Sequence, residues 1–371
     1  MAGTDARGSN LASPVTAGEW GSRRETDAPR AAGLPTPCGP LSEGVVRALT
    51  AAPEEHPRPA PEREEAATVT DPLGDRDFQL ALWMLYELHY RGFPGVSPDL
   101  EWDPLLLAAR APLERAFEAA VRELSGPLPW PPEEGRGSGR PAEAVADLLF
   151  EMTGSGPLPE LAGFLQRDAD EEQFRAYLAQ RAVYHLRESD PQSFLLPRLD
   201  GAPKVALAEL QYDEYGGGLP ERLHAALYAD ALTSLDMPTD VVSYVDTADA
   251  ETLASVNLMS LFALNRRLRG AALGHLAAFE ATSSVPCRMI ALGARRLGLP
   301  AAVAEYYDEH VEADSVHEQL AIRSICGALV DQDPDLAEDV VLGAAACLAV
   351  DALAGEVLLS RWRDVPAEAA G

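Results

Sequence analysis

Positive charge is what this chain has least of. Lys204 is its only lysine, and 30 lysines and arginines face 59 aspartates and glutamates, a formal net charge of -29 at pH 7. Nucleic acid is therefore not an expected partner, because phosphate binding needs a basic surface. Cysteine is also scarce: Cys38, Cys287, Cys326 and Cys347 show no C-x2-C spacing. That argues against a zinc ribbon or a disulfide framework and for reduced, mostly buried thiols. The most apolar tract, 340–359, still contains Asp351 and Glu356 and reads as a core helix, so no membrane partner is expected. Met1-Ala2-Gly3-Thr4-Asp5 leads into no apolar stretch, so no signal peptide is visible and a cytoplasmic location is expected. Strand signals are nearly absent, apart from 241–245.

What is present is helical periodicity and enough apolar mass, 47% of 371 residues, to build a core without staples. Residues 1–70 are rich in Pro, Gly, Ala, Arg and Glu and read as a largely disordered tail, with a hint of a short helix at 44–52. Folded structure is expected from 75, in a helical region reaching 150, followed by a second helical domain over 155–365. The pattern predicts helices at 75–91, 105–124, 143–152, 159–165, 170–189 and 204–215. It continues with a helix starting at Leu219-Pro220, then 253–268, 270–281, 286–297, 301–317, 319–331 and 336–362. The stretch 126–141 reads as a linker, and Gly216-Gly217-Gly218 as a hinge. The fold class is all-α.

The chemistry concentrates in Glu305–Glu318. A helix turns about 100° per residue, so His310, Asp314 and His317, at relative positions 0, 4 and 7, share one face. Ala304, Ala321, Ile322 and Ile325 give the same segment an apolar side, which points the polar face into a bundle. Two imidazoles and a carboxylate so placed can hold a metal; a solvated charged face is the alternative. Further ligands must come from other helices. Glu188 and Glu280 stand in apolar surroundings that disfavour an unpaired carboxylate. His224 has two candidate acidic partners, Glu221 in a literal E-x2-H and Glu214 ten positions earlier, and the residues alone leave that choice open. Carboxylates and imidazoles without a thiolate suit iron or manganese, and di-iron carboxylate bundles need this number and type of ligand. His56, His89, His185 and His275 read as structural. Tyr212, Tyr215, Tyr306 and Tyr307 are candidates for supporting hydrogen bonds, and Arg222, Arg288 and Arg323 for a substrate carboxylate.

H-x3-D-x2-H on a late helix, with Glu188, Glu214, His224 and Glu280 upstream in that order, resembles the heme-oxygenase-like diiron oxidases and oxygenases, often called iron-containing redox enzymes. The likeness covers roughly 170–330 and is closest to the N-oxygenating branch. It implies a seven-helix bundle with an N-terminal helical extension, holding two Fe(II) ions without porphyrin and using dioxygen as co-substrate. It also implies Glu188, Glu214, His224, Glu280, His310, Asp314 and His317 as the metal ligands, favouring Glu214 over Glu221. Oxidation of an amine or guanidine nitrogen of a small amino-acid-derived metabolite, within secondary metabolism, is the implied activity. Oxidative C–C cleavage or desaturation of an amino or fatty acid, and a non-catalytic metal- or ligand-binding helical module, are the competing readings. An external electron donor and a homodimer are expected. The chemistry of the second, cupin iron domain that some relatives carry is not expected here, since no cupin segment follows Trp362.

Overall fold

Prolines that look like breakers in the sequence start several helices, because the ring fixes φ and the first turn needs no N–H. The computed structural model describes residues 33–51, 69–130, 140–154, 156 and 159–363, with the side chains of 312–316 outside that description. Helix α1 (Pro40–Thr50) opens on such a proline and buries Leu41, Val45, Ala48 and Leu49 against α2 (Arg76–Glu87). Its cap is borrowed. Gly39 has no side chain, so the Asp77 carboxylate of α2 accepts the N–H groups of Leu41 at 2.9 Å and Ser42 at 2.8 Å. Part of the expected tail is thus a packed helix beginning earlier than 44; residues 1–32 and 52–68 lie outside the described residues.

Helices α3 (Pro104–Ser125), α4 (Pro141–Gly154) and α5 (Glu160–Arg167) follow. Helix α6 (Glu171–His185) starts in a capping box: Asp170 accepts from Gln173 N at 2.8 Å, and Gln173 accepts from Asp170 N at 3.0 Å. Helix α7 (Gly201–Glu214) runs into the three glycines, all at positive φ. A Cβ on Gly216 would meet the Arg222 carbonyl carbon at 2.6 Å, so the loop doubles back tightly on itself. Only after a 3-10 turn at Pro220–Arg222 does α8 (His224–Ser234) begin. The helix expected from Leu219 therefore starts at His224, because the reversed glycine loop and not Pro220 sets its entry.

The strand signal at 241–245 is a short helix, Val242–Val245, burying Tyr244 and Val245; no strand occurs among the described residues. Helix α9 (Ala250–Leu264) precedes α10 (Arg269–Leu297), which crosses Pro286 unbroken where two helices were expected. Near the lost bond, Thr282 and Ser283 hydroxyls donate to the carbonyls of Ala278 (2.7 Å) and Glu280 (2.8 Å). Helix α11 (Ala301–Gln319) continues into a π-helical stretch, Leu320–Gly327. Helix α12 (Ala337–Arg363) is long and apolar enough to cross a membrane by length and composition. It behaves as the core helix read from the sequence, burying Val340, Val341, Ala344 and Cys347 and packing chiefly on α10. The two backbones touch: a Cβ on Gly274 would lie 1.8 Å from the Val340 carbonyl oxygen, and one on Gly343 would lie 1.9 Å from that of Ala271. The described residues pack as one compact, all-helical unit.

Candidate metal centre

Five elements deliver acidic and imidazole side chains to one buried place. The turn after α6 carries Glu188, the end of α7 Glu214, the first residue of α8 His224, the middle of α10 Glu280, and α11 His310 and His317. All six are buried. They form two triads, Glu188/His224/His310 and Glu214/Glu280/His317, whose ligand-type atoms lie within 4.8 Å of one another. Glu214 adjoins both triads, with Oε2 3.1 Å from His224 Nδ1 and Oε1 3.5 Å from His317 Nδ1. The glycine loop is what places His224 beside the Glu214 that precedes it.

Hydrogen bonds fix which ring nitrogens face the triads. His310 Nδ1 donates to the Tyr306 carbonyl at 2.8 Å, leaving Nε2 3.4 Å from Glu188 Oε1. His317 Nε2 donates to Asp213 at 3.4 Å, leaving Nδ1 3.4 Å from Glu280 Oε2. His224 Nδ1, His310 Nε2 and His317 Nδ1 are buried and make no hydrogen bond of acceptable geometry. An acceptor nitrogen held against a carboxylate oxygen calls for a cation between them, either a proton or a metal ion. Burial disfavours the charged His310 ring, but the Glu188 carboxylate outweighs it and pushes His310 up to about 10. For His317, burial is likewise outweighed, here by Glu280, and the ring rises to about 9. Burial would raise Glu188, yet His185 and His310 hold it well below the usual carboxylate range. Orphaned nitrogens, buried carboxylates and the absence of thiolate from both triads fit a hard divalent ion such as iron.

A second layer orients these groups. Arg181 Nε donates to His185 Nε2 at 3.4 Å, so the proton of that ring sits on Nδ1, 3.1 Å from Glu188 Oε1. Burial lowers His185 further than Glu188 raises it, and the ring stays neutral. Tyr306 Oη donates to Glu188 Oε2 at 2.8 Å and lies 2.7 Å from His185 Nδ1. Ser189, left-handed at φ 65°, donates its hydroxyl to Glu214 Oε2 at 3.0 Å, and Gln211 Nε2 holds its carbonyl at 2.9 Å. Beneath the same turn, buried Arg187 pairs with buried Glu87 of α2 and lies over Trp83, 5.0 Å from the ring centroid.

Among the residues singled out in the sequence, the triads gather all the metal candidates except Asp314, whose side chain lies outside the described residues. Glu221 is exposed in the 3-10 turn and joins neither triad. Tyr306 takes the expected supporting position, whereas Tyr212 is 59% exposed. Arg222 pairs with Glu309 at 2.8 Å, Arg288 is exposed, and Arg323 lies over Phe150. His185 was set aside as structural, yet it touches Glu188; its i,i+3 spacing to that residue was the available signal. Ser189 and Asp213 were missed, although each is the sequence neighbour of a triad carboxylate. His56 lies outside the described residues, His89 pairs with Glu101 at 3.5 Å, and His275 stacks on Phe279.

No curated protein matches the chain. A match to a protein family covers residues 175–352, which include both triads and their supporting layer apart from Glu87 and Trp83. That segment, just under half of the chain, matches the iron-containing redox enzyme family, a match that supports an oxidoreductase.

Proposed function

We propose that each triad holds one iron ion and that the pair activates dioxygen to oxidise a nitrogen of a small amine or guanidine derived from an amino acid. The observation that carries this reading is the shared border of two buried triads at Glu214. Two ferrous ions bound there would supply the electrons and the charge needed to reduce dioxygen. Glu188, Glu214 and Glu280 offset the metal charge, and the imidazoles aim inward the nitrogens that would bind metal once their protons leave. Tyr306 stays a proton donor, its hydroxyl pushed well above its ordinary range by burial and by Glu188, and fixes Glu188 together with His185. Asp314 is proposed as the remaining ligand on sequence spacing alone. The choice of nitrogen chemistry rests on the ten-residue interval from Glu214 to His224, which resembles the N-oxygenating branch.

Anaerobic Fe(II) titration followed by oxygen tests this directly. Two irons per chain are expected, with His310→Ala and His317→Ala each binding fewer, and a panel of amines and guanidines should yield an oxygenated nitrogen by mass spectrometry. No iron uptake, or full uptake by both variants, sinks the reading. Carbon–carbon cleavage or desaturation as the product would overturn the nitrogen chemistry and keep the iron chemistry.

A further inference from the structure

Two small cavities share part of their walls, Met259 and His275. The first, about 30 Å³, sits among α6, α9, α10 and α12. Its outer lining includes the Arg181–Asp351 pair, 3.2 Å apart, with Asp351 60% exposed. Its inner lining is the buried Val256, Met259, His275 and Val350. The second, about 10 Å³, reaches Pro191 and Gln192, in the turn that follows Glu188, and shares Met259 and His275 with the first. Those two side chains therefore form a wall common to both compartments. Methionine is unbranched and turns about three side-chain bonds, so it makes a movable partition, whereas His275 is fixed between Phe262 and Phe279. Part of the first cavity's wall is Tyr184 against Phe279, ring centroids 5.5 Å apart. These residues precede His185 and Glu280 in sequence, so the first cavity is walled by the two helices, α6 and α10, that lead to the carboxylates.

Size decides what such a space holds. Roughly 10–15 Å³ accommodates one water-sized centre, so these compartments suit one or a few diatomic molecules and exclude an amino-acid-sized substrate. Chemistry narrows it further. The polar Gln180, Arg181, Thr252, Ser255 and Asp351 line the first cavity, but the shared inner part by Met259 is mainly apolar and gives water few partners, and His275 there is held neutral, its pKa pulled down to about 4 by burial; apolar space of this kind takes up uncharged gases. We infer that the two cavities form a dioxygen-holding passage from the surface at Asp351 to the turn bearing Glu188, partitioned by Met259. The identity of the gas rests on the proposed function; the affinity for a small apolar gas rests on the cavity alone.

Xenon-pressurised crystals of the metal-free full chain test the second point, with a xenon peak expected between Met259, His275 and Phe279. Stopped-flow mixing of ferrous protein with oxygenated buffer tests the first. Met259→Trp is expected to slow the oxygen-dependent oxidation on the order of tenfold, equal to an added barrier of about 1.4 kcal/mol. Met259→Leu is expected to stay near the parent rate, and Met259→Phe, with a smaller added bulk, serves if the Trp variant does not fold. Ordered water in place of xenon, or unchanged oxidation in the bulky variant, overturns the inference. Iron bound without xenon would sink only this inference. Xenon bound in a protein that takes up no iron would sink the proposed function and the dioxygen assignment with it.

Discussion

Ser189 joins backbone strain to the candidate metal centre. A left-handed backbone costs a non-glycine residue of order 1–3 kcal/mol and persists where the surroundings impose it; here its reward is a hydroxyl aimed at Glu214. Ser189→Ala keeps the strain and loses the bond, and metal titration should show affinity falling about tenfold or more. Ser189→Gly loses the same bond but relaxes the backbone, so its metal-free form should melt above that of the alanine variant. Parent-like affinity in both variants would mean that Glu214 needs no such support. The raised histidines give a second expectation. His310 at about 10 and His317 at about 9 lie above the ordinary value near 6.5, so the metal-free centre holds protons at neutral pH. Their contribution to metal-free stability is complete below about 6.5 and is lost as pH rises through 9–10. Metal must displace these protons, so uptake at pH 7 should acidify a weakly buffered solution and affinity should climb with pH up to about 9–10. Calorimetry in buffers of different ionisation enthalpy would measure the protons released, and none released would contradict the assignment. Carboxylates amid apolar helix residues made Glu188 and Glu280 visible in the sequence. Ser189 and Asp213 were not, because a hydroxyl or surface carboxylate gains its role only from a partner on another helix.

At the scale of elements, α10 is held to α12 by backbone contact. Filling that contact at Gly274 or Gly343 meets carbonyl groups that cannot rotate aside, so Gly274→Ala and Gly343→Ala should each destabilise by about 1–3 kcal/mol or more. Gly355→Ala on the same helix α12 meets nothing closer than Leu161 Cδ2 at 3.8 Å. It should be neutral or stabilising by up to about 1 kcal/mol through helix propensity. Thermal unfolding of the three variants tests the contrast, and equal melting temperatures would show that the helices part without cost. Because α10 carries Glu280, the two damaging variants should also weaken metal binding. Most helices were legible from apolar periodicity alone. The misread ones share a cause, since Pro220, Pro286 and the apolar run at 241–245 are local signals that a glycine reversal, side-chain hydroxyls and burial override. The long-range crossing at Gly274 and Gly343 leaves no local trace beyond the presence of glycine.

For the whole molecule, metal bound at two buried triads would couple binding to stability. An ion held at a concentration 100 times its dissociation constant adds about 2.7 kcal/mol per site. Chelation should therefore lower the melting temperature, and the His310→Ala/His317→Ala double variant should lose that dependence on metal. An unchanged melting point after iron removal would contradict a centre assembled from five elements. Those elements span residues 188–317, and α10 is locked only when α12, residues 337–363, packs on it. During synthesis the ribosome therefore releases Glu188, Glu214 and His224 well before the partners that complete their triads. Neither triad is complete until His310 or His317 has been made, so metal is expected to load late, after most of the bundle has been synthesised.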